Sequence, residues 1–229
     1  MRLFGTKWLH SFYYASDGIV YSIVSQRNMK IHFFAALFTL LLAMALHIQG
    51  TDAIFLIVMI GLVIAAEMVN TALEKTIDLV TKEYHPLAKI AKDTAAGAVL
   101  FIVFIAVILG VMLIFPYLNQ WFFGNGQIPT IDPTSFFALQ SFFLLLFTYG
   151  IKAYWSLKNT KFQPHALIGI LLHLMAVLSK INMMVSVIFA FILSFVLLIL
   201  LSKGYHWIGL IQNGIISIGG FFLLNGLFI

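Results

Sequence analysis

The chain has 229 residues, of which 62% are hydrophobic and 9% charged, with a formal net charge of +5 and no cysteine; its mean hydropathy is +1.04. A soluble domain carries about a quarter charged residues, so these values exclude one and indicate an integral membrane protein. Disulfides are excluded outright, and the basic balance reads as membrane orientation and anionic lipid, with no nucleic acid partner, because no soluble basic domain exists.

The first residues, MRLFGTKWLHSFYYASDG, lack the apolar core and small-residue cleavage site of a secretory signal. Phe4, Trp8 and Phe12 recur every four residues, with Lys7, His10 and Asp17 interspersed. That pattern predicts a helix over 4–24 lying in the membrane interface. The plainer alternative is an amphipathic N-terminal helix with no active role. Apolar stretches follow at 31–48, 53–76, 93–115, 136–156, 165–179, 183–202 and 207–227, the fifth being short. No alternating pattern of the barrel kind is present, so the spans are helical. The expected fold is all-α and integral to the membrane: an N-terminal interfacial helix plus three transmembrane helices, followed by about four more. The expected domains are 1–120, an external linker over 121–135, and a C-terminal transmembrane domain over 136–229.

Basic residues set the orientation. Arg2, Lys7, Arg27 and Lys30 precede the first span; Lys75, Lys82, Lys89 and Lys92 lie between the second and third. Lys152, Lys158 and Lys161 follow the fourth, and Lys203 follows the sixth. With seven spans these all fall on one side, and Lys180 alone falls opposite. The stretch YLNQWFFGNGQIPTIDPTS, 117–135, has no Lys or Arg and a linker-like content of Gly and Pro, so it is expected outside. The N-terminus and the 75–92 loop then face the cytoplasm.

The second span ends unusually, in EMVNTALEKTID. At the helical period, Glu67, Asn70, Glu74 and Asp78 fall at about 0°, −60°, −20° and +20°, one stripe. A carboxylate in hydrocarbon costs at least ~2.5 kcal/mol, so several on one face imply a polar interior, a cation or a ligand. Surface anchoring by lysines is the plain alternative. It suits Asp78, which has Lys82 at helical spacing, and fails for the deeper Glu67. An ion or proton relay is the other reading. Downstream, AKDTAAGAV brings Lys92 and Asp93 to the start of the third span, followed by small residues that permit close helix approach. A boundary lysine can hold phosphate as a point charge, and facing carboxylates can hold Mg²⁺. These parts suit phosphoryl transfer from ATP to a lipid hydroxyl, without a P-loop.

ExxNTAxE, an aspartate four residues on, and EYHPLAKxAKDxAAGAV together resemble the prokaryotic diacylglycerol kinase family, and RNMKIH at 27–32 resembles its undecaprenol kinase branch. The resemblance covers 7–117, half the chain. It implies a homotrimer in the bacterial cell membrane, each subunit having three spans and a surface helix, with active sites shared between neighbours. It implies an ATP-dependent lipid kinase with Mg²⁺ as cofactor, acting on undecaprenol first or on diacylglycerol. Glu67 matches the general base and Asn70 the polar residue beside it; Glu74 matches a Mg²⁺ ligand. Glu83, Tyr84 and His85 match the nucleotide-contacting loop, Lys92 and Asp93 its phosphate and nucleotide contacts, and Lys7 and Tyr14 the N-terminal positions that approach ATP. Gln26 stands where the family has a second metal-binding acid. Its oxygen can ligate Mg²⁺ but brings no charge, so a weak kinase or an inactive pseudokinase binding lipid or nucleotide is the competing reading.

Residues 136–229 hold no acidic residue and no arginine. The fragments KAYWSLKNT, FQPHA and SKGYHW weakly resemble the three motifs of the type-2 phosphatidic acid phosphatase superfamily, at Lys152, His165 and His206. The motif arginines are missing, and Leu210 stands where an aspartate belongs. No phosphatase activity is expected, because that chemistry needs arginines around the phosphate and an acid orienting the nucleophilic histidine. Boundary residues at helix ends are the plain alternative.

Overall fold

The computed structural model describes residues 5–124 and 132–157, and among these every element is an α-helix. Helix α1 spans Gly5–Ser25, α2 Arg27–Ala45, α3 Gly50–Val80, α4 Pro86–Phe123 and α5 Pro133–Leu157. By length and composition, Arg27–Ala45, Gly50–Val80, Pro86–Phe123 and Pro133–Tyr154 are able to cross a membrane. They coincide with the first four predicted spans. The predicted spans at 165–179, 183–202 and 207–227, with His165 and His206, lie outside the described residues.

Each boundary has a local cause. Gln26 is extended (φ −105°, ψ 129°), which ends α1 and makes Gln26 the residue preceding α2. Its N–H still donates to Ser22 O at 3.1 Å, and its carbonyl accepts from Lys30 N at 3.3 Å. Helix α2 closes in a Schellman motif: Ile48 N donates to Ala43 O and His47 N to Met44 O. His47 takes the left-handed conformation that this motif demands and that glycine usually fills (φ 53°). Gly50 starts α3 with φ 63°, where a side chain would be strained. At the other end of α3, Thr81 is extended. His85 then caps α4, its Nδ1 accepting from Leu87 N at 3.3 Å, with Pro86 in the first turn where its missing donor costs nothing. Asp132 caps α5 in the same way. It accepts from the N–H and hydroxyl groups of both Thr134 and Ser135. Those bonds, the Ser135 hydroxyl first, push the Asp132 carboxyl down to about 2.

Two helices overrun their predicted limits. Helix α3 has 31 residues, ~46 Å at 1.5 Å per residue, against a ~30 Å hydrocarbon core. It is therefore longer than an untilted crossing of the hydrocarbon requires. Helix α4 continues through Pro116 to Phe123, so Trp121–Phe123 of the expected linker are helical. An internal proline is tolerated in a membrane helix because neighbouring groups re-satisfy the freed carbonyl.

The chain forms two compact units. One is Tyr21–Ser135, in which α3 packs on α4 and on α2. Its buried residues include Met29, Phe33, Leu40 and Met44 of α2 and Leu56 and Ile64 of α3. At the end opposite Glu74, Gln49 Oε1 accepts from Asp132 N at 3.2 Å, Gly50 N donates to Ser135 Oγ at 2.9 Å, and Tyr117 donates to Asp52 at 3.0 Å. Helix α4 keeps one buried residue, Val99, and exposes Phe101, Phe104, Val107 and Val111. In the other unit, α1 up to Val20 groups with α5 from Phe136. Its buried residues include Val20, Phe137, Leu139 and Leu144.

Candidate active site

The four-residue stripe on α3 forms a gradient of exposure. Glu67 is 2% exposed and Asn70 6%; Glu74 is half-buried and Asp78 exposed. Thr71, one turn beyond Glu67, spends its hydroxyl on the Glu67 carbonyl at 2.8 Å. Glu74 is held from two sides: Gln26 Nε2 donates to its Oε2 at 3.0 Å, and Asn70 Nδ2 to its Oε1 at 3.2 Å. Gln26 comes from the α1–α2 junction, 48 residues away in sequence. Asn70 Oδ1 is buried with no hydrogen-bond partner among the described residues. An orphaned buried acceptor of this kind is open to a further donor, a water or a ligand hydroxyl among them.

His32 on α2 and Glu74 are the ionisable groups that act electrostatically on Glu67. His32 also lines a cleft of about 360 Å³ between α2, α3 and α4, whose other walls include Thr39, Met59, Val63, Val103 and Leu118. Sequence reasoning used the RNMKIH stretch only as a family marker and missed His32. The available signal was its position on the buried face of α2, between Met29 and Phe33.

A second recess, polar and about 530 Å³, lies where α3 passes into α4. It falls in the size range of small-molecule sites. It is lined by Asp78, Glu83, Tyr84, His85, Lys92 and Asp93, so the five loop and α4 positions expected to contact nucleotide converge there. Within it, Lys92 Nζ meets Asp78 Oδ1 at 2.5 Å, and Lys89 meets Asp93 at 2.6 Å. Asp78 does not pair with Lys82, as helical spacing suggests. Helix α3 stops at Val80, so Lys82 leaves the helix and the lysines within reach are Lys92 and, at 3.9 Å, Lys75. These pairs are exposed and contribute little to stability, which leaves the cations free to exchange partners.

Lys7 and Tyr14 both lie on α1, seven residues and so about two turns apart on one face, with Tyr14 exposed. Lys152 is engaged by α1: it donates to Ser16 Oγ and Asp17 Oδ1, each at 2.9 Å. Among the described residues no group of three or more His, Cys, Asp or Glu side chains converges for a metal ion. A Mg²⁺ ion needs fewer, since it keeps waters and takes phosphate oxygens. Glu74 with the Gln26 amide turned oxygen-first fits that sparse donor set.

Residues 13–114 match the family described as prokaryotic diacylglycerol kinase. The chain is 45% identical over 109 residues to a diacylglycerol kinase of Synechocystis, covering 47% of this chain and 62% of that one. It is 36% identical over 112 residues to an undecaprenol kinase of Bacillus subtilis, covering 49% of this chain and 91% of that one. A diacylglycerol kinase of Helicobacter pylori is 32% identical over 108 residues, covering 47% of this chain and 84% of that one. No solved structure matches the chain. The matched region carries α2, α3 and most of α4, with Gln26, Glu67, Asn70, Glu74 and Lys92 among its residues. The chain belongs to the prokaryotic diacylglycerol kinase family.

Proposed function

We propose that the protein is a membrane lipid kinase that transfers the γ-phosphate of ATP to the hydroxyl of a lipid alcohol, undecaprenol in first place and diacylglycerol in second. The observation that carries this reading is the Gln26–Glu74 hydrogen bond. It unites two residues 48 apart that the family resemblance assigns to one metal ion. The polar recess at the α3–α4 turn and the apolar cleft lined by His32 add a place for each substrate.

In this reading the nucleotide enters the recess, where Lys92 exchanges Asp78 for phosphate and Glu83, Tyr84, His85 and Asp93 surround the remainder. Glu74 and Gln26 would hold Mg²⁺, which when bound would neutralise charge on the phosphate oxygens. The lipid chain lies along the cleft, with its hydroxyl donating towards the Glu67 carboxylate. Glu67 takes the hydroxyl proton as the oxygen attacks the γ-phosphorus and ADP leaves, and Asn70 keeps Glu74 oriented through its Nδ2. The N-terminus and the α3–α4 turn face the cytoplasm, and α1 lies at the membrane surface. The exposed length of α4 supports assembly as a homotrimer. The neutral Gln26 opposite Glu74 favours a second reading, a pseudokinase that binds lipid and nucleotide without turnover.

Full-length protein with radiolabelled ATP and a panel of lipid alcohols tests the first reading. Glu67→Gln should lower turnover by ~10²–10⁴ and leave nucleotide binding intact. Turnover close to wild type in Glu67→Gln would remove Glu67 from the chemistry, and an inactive wild type that still binds nucleotide would establish the second reading.

A further inference from the structure

The cleft between α2, α3 and α4 is apolar along most of its walls. On α3 it is lined by Leu56, Ile60 and Val63, spaced i, i+4, i+7 on one stripe. Glu67 is the next position of that stripe, one turn past Val63, and is 2% exposed. On α2 the lining runs through Thr39 and Ala36 to His32, a second stripe of the same spacing. Helices α2 and α3 are joined by residues 46–49 and run antiparallel, so the start of α2 meets the later part of α3 through Gln26 and Glu74. From Gln26, His32 is six residues on, ~9 Å; from Glu74, Glu67 is seven residues back, ~10 Å. Both stripes therefore reach an ionisable side chain at the same level. His32 also acts electrostatically on Glu67, as does Glu74 from the same helix. The α4 wall of the cleft, from Val103 on, is apolar.

His32 is half-buried, and the transfer described above assigns it no task. An imidazole keeps an N–H donor in either charge state. An alcohol oxygen has one proton and two lone pairs. In the transfer the proton goes to the Glu67 carboxylate, and one lone pair forms the bond to the γ-phosphorus. The electrons of the breaking P–O bond leave with ADP. The second lone pair is left to accept a hydrogen bond, and His32 is the donor that lines the cleft at the level of Glu67. Thr39, the cleft's other polar side chain, is two turns, ~10 Å, further along. Holding the oxygen from one side and its proton from the other fixes the direction of the O–H before the proton moves, as a near-attack geometry requires.

We propose that His32 is a substrate-binding residue: its ring N–H donates to the oxygen of the lipid alcohol whose proton Glu67 takes. It orients the hydroxyl and does not touch the nucleotide. The assignment rests on the lipid kinase reading, and it holds for undecaprenol and diacylglycerol alike because only the hydroxyl is engaged.

The test uses the full chain in nanodiscs, with undecaprenol or dioleoylglycerol at varied mole fraction and saturating ATP with Mg²⁺. His32→Phe keeps a ring and removes the donor, and should lower kcat/KM for the lipid alcohol about 10–100-fold. KM for ATP and the melting temperature should stay near wild type, which a merely structural role would not allow. His32→Gln, whose amide carries a donor, should recover most of the loss. Binding is read separately, by competition of undecaprenol against a benzophenone-bearing prenol that photolabels the protein; it should weaken about tenfold in His32→Phe. His32→Met, flexible and without a donor, carries both measurements if His32→Phe does not assemble. Unchanged kcat/KM in the variant without a donor overturns the assignment. A loss that extends to ATP, or one that His32→Gln does not relieve, overturns it as well. Wild type that captures the prenol but phosphorylates no alcohol overturns the kinase reading alone, and the competition still decides whether His32 holds the hydroxyl. Wild type that does neither overturns both.

Discussion

Replacing Gln26 by glutamate probes the metal site most directly. Gln26 Nε2 stands 3.0 Å from Glu74 Oε2. A second carboxylate there converts a hydrogen bond into a repulsion of ~5 kcal/mol at an effective dielectric of 20. Both side chains are half-buried, so solvent screening reduces this to roughly 1.5–3 kcal/mol. A divalent cation between the two carboxylates removes that repulsion, so Mg²⁺ should bind about 10–100-fold more tightly in the variant. The assay is a Mg²⁺ titration of lipid phosphorylation at fixed ATP and ionic strength, paired with thermal unfolding. Gln26→Glu should reach half-maximal rate at lower Mg²⁺, and should melt below wild type in chelator and recover when Mg²⁺ is restored. Coincident titrations and equal melting in chelator would refute the reasoning, because they would mean that position 26 does not face Glu74 at the metal. An inactive wild type with an active Gln26→Glu would instead assign the natural protein to the pseudokinase reading while supporting the geometry.

Lys92→Met should weaken nucleotide binding by at least about tenfold with little change in melting temperature, since its pair with Asp78 is exposed; nucleotide titration and thermal unfolding of the same preparation separate the two effects. The Asp132 carboxyl, held at about 2 against an ordinary 3.8, contributes stability that is fully present above pH 3.8 and lost as the pH falls through about 2. The melting difference between wild type and Asp132→Asn should therefore shrink across that window, and a difference that grows on acidification would reverse the assignment. Truncation after Phe123 leaves Glu67, Glu74 and Lys92 in place, so turnover at saturating nucleotide should persist; a truncated protein that assembles yet is inactive would make the second half part of the chemistry. The full chain should release no phosphate from lipid phosphates, since Lys152 is committed to Asp17. Hydrolysis that disappears in His165→Ala would restore a phosphatase reading.

What the sequence by itself determined follows from short-range regularities. Hydrophobic length alone located α2 to α5, because twenty apolar residues have no other stable home than a membrane helix. The i, i+3, i+4 arithmetic put Glu67, Asn70 and Glu74 on one face, and the structure buries the first two as their depth on that face implied. The EYHP and KD motifs lie within one turn-and-helix segment, so their convergence on the recess needed only local geometry. Tertiary structure decided what depends on contacts distant in sequence. Gln26 meets Glu74 across 48 residues, and Lys152 meets Asp17 across 135. Neither partner could be named from periodicity, which orders residues along one helix and says nothing of the facing one. Asp78 chose Lys92 over Lys82 for the same reason, once α3 ended at Val80 and turned the chain away. Residues 117–123 looked like linker because the 117–135 stretch has Gly and Pro and no Lys or Arg, yet α4 continues through Pro116 to Phe123. His32 beside Glu67 became visible only when α2 was laid against α3, where an ordinary-looking histidine proved to line the cleft.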